Sequence, residues 1–157
     1  MGTAVARILV VDDDDLVRNA VQAMLMSVGH EVVLAVDGED GILQFEHEPF
    51  DLVVCDVIMP NMDGLEMVRE LRRLSADIPI ISMTGSFMRS TGGAHLNAVY
   101  LRLCSELGAT KVIAKPFRAR ELLALAVQCL AAPRASEPPI GAAEQIAGLN
   151  ERLRRHY

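Results

Sequence analysis

No long run of lysines or arginines interrupts this sequence, and 21 acidic residues outnumber 15 basic ones, for a net charge of -6. That removes the electrostatic footprint by which chains hold nucleic acids or anionic membranes, so proteins and small ligands are the expected partners. No apolar run is long enough to cross a bilayer, and no basic start leads into an apolar stretch as in a secretory leader. The expected setting is the cytoplasm. Cysteine is scarce and odd in number: Cys55, Cys104 and Cys129 each sit inside an apolar segment, which predicts reduced core residues and no disulfide framework. Histidine offers no ligand spacing either. His30, His47, His95 and His156 are scattered, which argues against a histidine-bound metal and against a phosphohistidine of the chain's own. No internal repeat is present.

What the chain does have is apolar residue, 51% over 157 positions, enough for one well-buried core. Short runs rich in Val and Ile recur at 7–11, 31–36, 52–55, 79–83 and 111–114, and read as strands. Helical spacing fills the gaps. Val17, Val21, Met24 and Leu25 form one stripe that Gly29 can end; Leu65, Val68, Leu71 and Arg72 begin another; 38–46, 95–107 and 118–130 supply the rest. Five strands alternating with five helices predict an α/β fold, a doubly wound five-stranded parallel sheet flanked by five helices.

This reading gives one domain over 1–132, then a linker rich in Pro, Ala and Ser over 133–141, then a short tail over 142–157. In the tail, Ile146, Leu149 and Leu153 share a helical stripe and Glu151 lies four before Arg155, a pattern for a marginal helix that needs a docking surface.

In an open parallel sheet, ligands bind where the strands' carboxyl ends meet the reversal of strand order. Asp12 and Asp13 end the first strand, Asp56 the third, Thr84 the fourth and Lys115 the fifth, so all five converge on one edge. Three carboxylates gathered with a hydroxyl and an ammonium call for a cation. An all-oxygen donor set suits Mg²⁺ and not zinc, which wants His or Cys.

The motifs "ILVVDDD", "DLVVCDVIMPNMDGLEMVREL", the strand-end Thr84 and "KPF", in that order, resemble the receiver domains of response regulators in two-component signalling, which have the CheY-like, flavodoxin-like fold. The resemblance covers roughly Ala6 to Ala131. It implies that Asp56 is the phosphoacceptor, taking a phosphoryl group from a histidine kinase or a histidine phosphotransfer protein to become an aspartyl phosphate. It implies Mg²⁺ held by Asp12, Asp13, Asp56 and the backbone carbonyl of Ile58, with Asp13 the direct member of the acidic pair. Lys115 and Thr84 would then contact the phosphoryl oxygens, Pro116 would follow a cis bond, and Asp14 and Asp15 would cap the next helix. Output would run through the fourth helix, fifth strand and fifth helix, near Arg118 and Arg120, to a protein partner or a second copy.

Two positions and one spacing depart from the family pattern. Val112 stands where many receivers carry an aromatic ring, Ile58 is apolar two residues after the acceptor, and 30 residues separate Thr84 from Lys115, which predicts an enlarged fourth loop or helix over 85–107. Phe87 and Tyr100 are candidates to replace the missing ring. The favoured expectation is a stand-alone switch that catalyses only its own phosphorylation and dephosphorylation. Its rivals are the receiver part of a longer transcription factor or hybrid kinase, a receiver used only for docking, and a Mg²⁺-dependent phosphohydrolase of the haloacid-dehalogenase type, which wants an acid where Ile58 stands.

Overall fold

The structure is a computed structural model; it describes residues 4–85 and 93–134, side chains of 93–97 and 100 excepted. The strands are β1 (Arg7–Val11), β2 (Glu31–Ala35), β3 (Leu52–Asp56), β4 (Ile80–Thr84) and β5 (Lys111–Ala114). The helices are α1 (Asp15–Met26), α2 (Gly38–His47), α3 (Gly64–Leu74), α4 (Gly93–Leu107) and α5 (Ala119–Ala131). All pairings are parallel, in the order β2-β1-β3-β4-β5. The expected elements are present, with ends moved by a residue or two; Asp56 and Thr84 belong to their strands, and Val36 falls outside β2.

Side chains alternate along each strand, so a run apolar on both sides must be covered on both faces. Ile8, Val10, Leu52 and Val54 join Val21 and Leu25 of α1 and Leu122, Ala126 and Cys129 of α5 in one core. Leu9, Val11, Val53 and Cys55 face the other way, onto Met67, Val68 and Leu71 of α3, with Ile42 and Phe45 of α2. Each of these strand residues is fully buried. The charge-bearing end of each strand is thereby held by a rigid middle.

Helix starts are specified locally. Asp14 caps α1 by accepting from Leu16 N and Val17 N, Asp37 caps α2 through Asp40 N, and Asp63 caps α3 through Glu66 N. Gly29 ends the turn after α1 at φ +91°, a conformation that suits glycine. Gly64 answers a different need: a Cβ there would lie 2.1 Å from the Asp56 carbonyl oxygen, so only glycine lets α3 start against the end of β3. At 15 residues α4 is the longest helix among the described residues. The tail, most of the linker and Phe87 lie outside the described residues, as does the side chain of Tyr100.

Candidate phosphoacceptor and metal site

The chain runs from β1 outward to β2 and then returns past β1 to β3, so the strand order reverses between β1 and β3. Asp12 follows the last residue of β1 and Asp56 ends β3, on either side of that crevice. Each stands two residues beyond a core valine, Val10 or Val54, so both carboxylates share the face of α1 and α5. Oxygens of Asp12, Asp13 and Asp56 lie within 4.8 Å of one another. Asp12 and Asp56 are buried while Asp13 is exposed.

The cluster is held by unequal bonds. Asp12 Oδ1 accepts from Asp14 N at 2.9 Å, and Asp12 Oδ2 accepts from Lys115 Nζ at 2.8 Å. The same ammonium stands 3.3 Å from Asp56 Oδ1, which also accepts from Val57 N at 3.0 Å. Lys115 is therefore a counter-ion bridging two acids whose parent strands are not neighbours of its own. Among the described residues, Asp13's side chain makes no hydrogen bond, so it is the member of the acidic pair with both oxygens available.

Burial pushes Asp56 up to about 6; Lys115 pulls it back down, and Asp12 adds repulsion. Burial works to lower the Lys115 ammonium, but the contacts with Asp12 and Asp56 outweigh it and leave the group raised. Thr84 Oγ1, at the end of β4, is buried with no hydrogen-bond partner among the described residues. Buried hydroxyls without partners are rare, and this one stands at the carboxyl edge beside the acids. The Lys115–Pro116 peptide is cis. Three hard oxygen donors at one end of the sheet form an acidic cluster compatible with Mg²⁺.

The loop from β3 to α3 carries Ile58, 41% exposed and without acidic function. Gly38 packs at the Met62 carbonyl, where a Cβ would come to 2.8 Å, and Asn61 reaches Asp37 Oδ2 at 3.3 Å. Asn61 itself takes φ +67°, tolerated by its short polar side chain. These contacts, and Arg18, were not anticipated from sequence. Arg18 lies on the buried stripe of α1 with Val21 and Leu25, three and seven residues on, and a charge on an apolar stripe is the signal that identifies it.

Other candidates take structural roles. His30 accepts from Ala6 N at the opposite end of the sheet, and His47 Nδ1 meets the Leu43 carbonyl on its own helix. The three cysteines are free and buried, and burial pushes the Cys55 thiol up to about 12. Val112 is half-buried in β5. Among the described residues, no helix is long and apolar enough to cross a membrane.

A model of the response regulator receiver domain matches residues 8–127. Among curated relatives, the probable transcriptional regulator ycf27 of Cyanophora paradoxa is 42% identical over 117 residues, covering 74% of this chain and 44% of that one. Response regulator MprA of Mycolicibacterium vanbaalenii is 39% identical over 141 residues, covering 90% of this chain and 56% of that one. The chain thus spans about half the length of these relatives. Among solved structures, a CheY-like receiver domain protein from Methanospirillum hungatei superposes with a TM-score of 0.69 at 30% identity, over 81% of this chain and 94% of that one. The receiver domain of NtrX from Brucella abortus gives 0.72 at 26% identity, over 80% and 99%. With the fold, the carboxyl-edge cluster and these matches in agreement, the chain belongs to the response regulator receiver domain family.

Proposed function

We propose that the chain is a phosphorylation switch of two-component signalling, with Asp56 as acceptor. The observation that carries this reading is Lys115 bridging Asp12 and Asp56 at the strand-order reversal, beside a buried Thr84 hydroxyl without a partner among the described residues. With burial holding Asp56 near 6, the carboxylate is mostly ionised at neutral pH yet poorly solvated, which suits a nucleophile. One of its oxygens attacks the phosphorus of a phosphohistidine on a kinase or phosphotransfer protein. The new O–P bond forms as the P–N bond breaks, and the histidine keeps the electron pair. Asp12, Asp13, Asp56 and the Ile58 carbonyl would hold Mg²⁺, which when bound offsets repulsion between nucleophile and phosphoryl group. Lys115 then turns from the acids to the phosphoryl oxygens, and the Thr84 hydroxyl donates to them. Those contacts exist only in the modified state and set the switch.

The chain turns over no outside metabolite on this reading; water slowly releases the phosphate. Its three buried thiols suit the cytoplasm we assign to it. The groove of Leu16, Ala20, Met24 and Phe117 beside Lys115, with Leu16 82% exposed, offers the donor protein a docking area. Exposed Val99 and Leu103 on α4 and Val127 on α5 offer another to a downstream protein or a second copy. The greater length of the curated relatives favours a second reading of output, in which the chain is the input part of a longer transcriptional regulator and binds no nucleic acid directly.

The test is labelling by acetyl phosphate with and without Mg²⁺. Wild type takes up phosphate only with Mg²⁺, and Asp56→Asn takes up none. Steady phosphate release from unrelated monoesters would replace this reading with a phosphohydrolase.

A further inference from the structure

Resting on the metal-dependent reading above, we infer that Arg18 is a positioning residue for Mg²⁺, acting through the backbone of Asp13. Its side chain is 11% exposed, and Nη1 donates to the Asp12 carbonyl at 2.8 Å while Nη2 pairs with Asp15. Asp13 sits between two peptide units. The one before it is fixed at its carbonyl by Arg18, and the one after it is fixed at its N–H by Asp12 Oδ1, 2.9 Å away. The exposed carboxylate of Asp13 has no hydrogen bond of its own among the described residues, so these two peptide anchors are what aim it. The two cations of the site therefore differ in kind. Lys115 touches the carboxylates themselves and can be displaced from them, whereas Arg18 holds a carbonyl and a residue outside the cluster and stays in place.

The competing role is purely electrostatic, and it has the opposite sign. A guanidinium near the acids repels Mg²⁺, so as a charge alone its removal would tighten the metal. As an anchor, its removal frees Asp13 and weakens the metal. The near charge is largely offset by Asp15, and salt screens what remains, so positioning wins in this geometry.

The experiment is Mg²⁺ titration by calorimetry at physiological ionic strength, paired with thermal melts in the absence of metal. Arg72→Gln is the comparator, because Arg72 also binds carbonyls, those of Gly108 and Ile78, far from the acids. Arg18→Gln should weaken Mg²⁺ by about tenfold, in the range found for removing groups that orient metal ligands. Arg72→Gln should lower the melting temperature and leave the Mg²⁺ affinity within twofold. Saturating Mg²⁺ should restore the labelling rate of Arg18→Gln, which a merely misfolded variant would not regain. An unchanged or tighter Mg²⁺ affinity in Arg18→Gln overturns the inference. Should that variant not fold, Arg18→Lys decides, since one ammonium cannot serve both the Asp12 carbonyl and Asp15: weakening of threefold or more supports the inference, and no change ends it. If wild type itself binds no Mg²⁺, or Asp13→Asn binds as well as wild type, the metal reading fails first and takes the inference with it.

Discussion

The two ends of the sheet treat their polar groups in opposite ways. At the amino edge they are partnered by the backbone: Arg72 donates to the carbonyls of Gly108 and Ile78, Thr110 accepts from Ile80 N, Asp51 accepts from Arg7 N, and His30 accepts from Ala6 N. Even the buried Nε of Arg7, which lacks a partner among the described residues, belongs to a guanidinium stacked over Phe50 and paired with Glu48. At the carboxyl edge, by contrast, like charges converge, one lysine serves two acids, and a buried hydroxyl has no partner among the described residues. One end resembles an interior that has been completed. Among the described residues the other holds like charges and a hydroxyl at a cost its neighbours leave uncompensated, and this asymmetry marks the edge on which the proposed function rests.

Substitutions can break that contrast, and the sign of the effect is the informative part. Arg72→Gln, at the amino edge, should lose about 3 kcal/mol by leaving two carbonyls short of donors. Thermal melts check this, and labelling should persist below the lowered melting point. Asp56→Asn should do the reverse. The native carboxyl binds its proton up to about pH 6 and the unfolded one only to 3.8, so stability of the Mg²⁺-free protein falls as pH rises through that window. Removing the charge should raise stability at pH 7 by about 2 kcal/mol, after allowing for the lost contact with Lys115, and flatten the slope between those limits. Denaturant melts from pH 4 to 7 in EDTA give both numbers. The smallest effect belongs to Thr84→Val, which deletes the unpartnered hydroxyl and should stabilise by about 1 kcal/mol while abolishing the phosphorylation-dependent gain in partner binding. A destabilised Thr84→Val would show the hydroxyl already satisfied and erase the contrast at that position.

Much of this is legible in the sequence alone. Buried parallel strands carry continuous Val and Ile, so β1 and β3 announce themselves, and the rule that ligands gather at strand carboxyl ends brought Asp12, Asp13, Asp56, Thr84 and Lys115 together. The remainder depends on distances that no local pattern encodes. Arg72 meets Gly108, 36 residues away, only because α3 and α4 pack side by side; the sequence places it on the stripe of Leu65, Val68 and Leu71 but does not name its partner. Asn61 reaching Asp37 is of the same kind. Arg18 is intermediate: its place on an apolar stripe was visible, but its partner was a carbonyl, and a backbone acceptor has no letter in the sequence.

Lys115 and Asp12 lie 103 residues apart, and β5, which ends just before Lys115, is the outermost strand beyond β4. The acids at the ends of β1 and β3 therefore depend for their counter-ion on the far edge of the sheet. Closing so long a loop costs entropy, and without β5 in place the two carboxylates face one another uncompensated. Docking of the edge strand is thus also an act of neutralisation, and loosening it would expose a repulsion at the centre of the sheet.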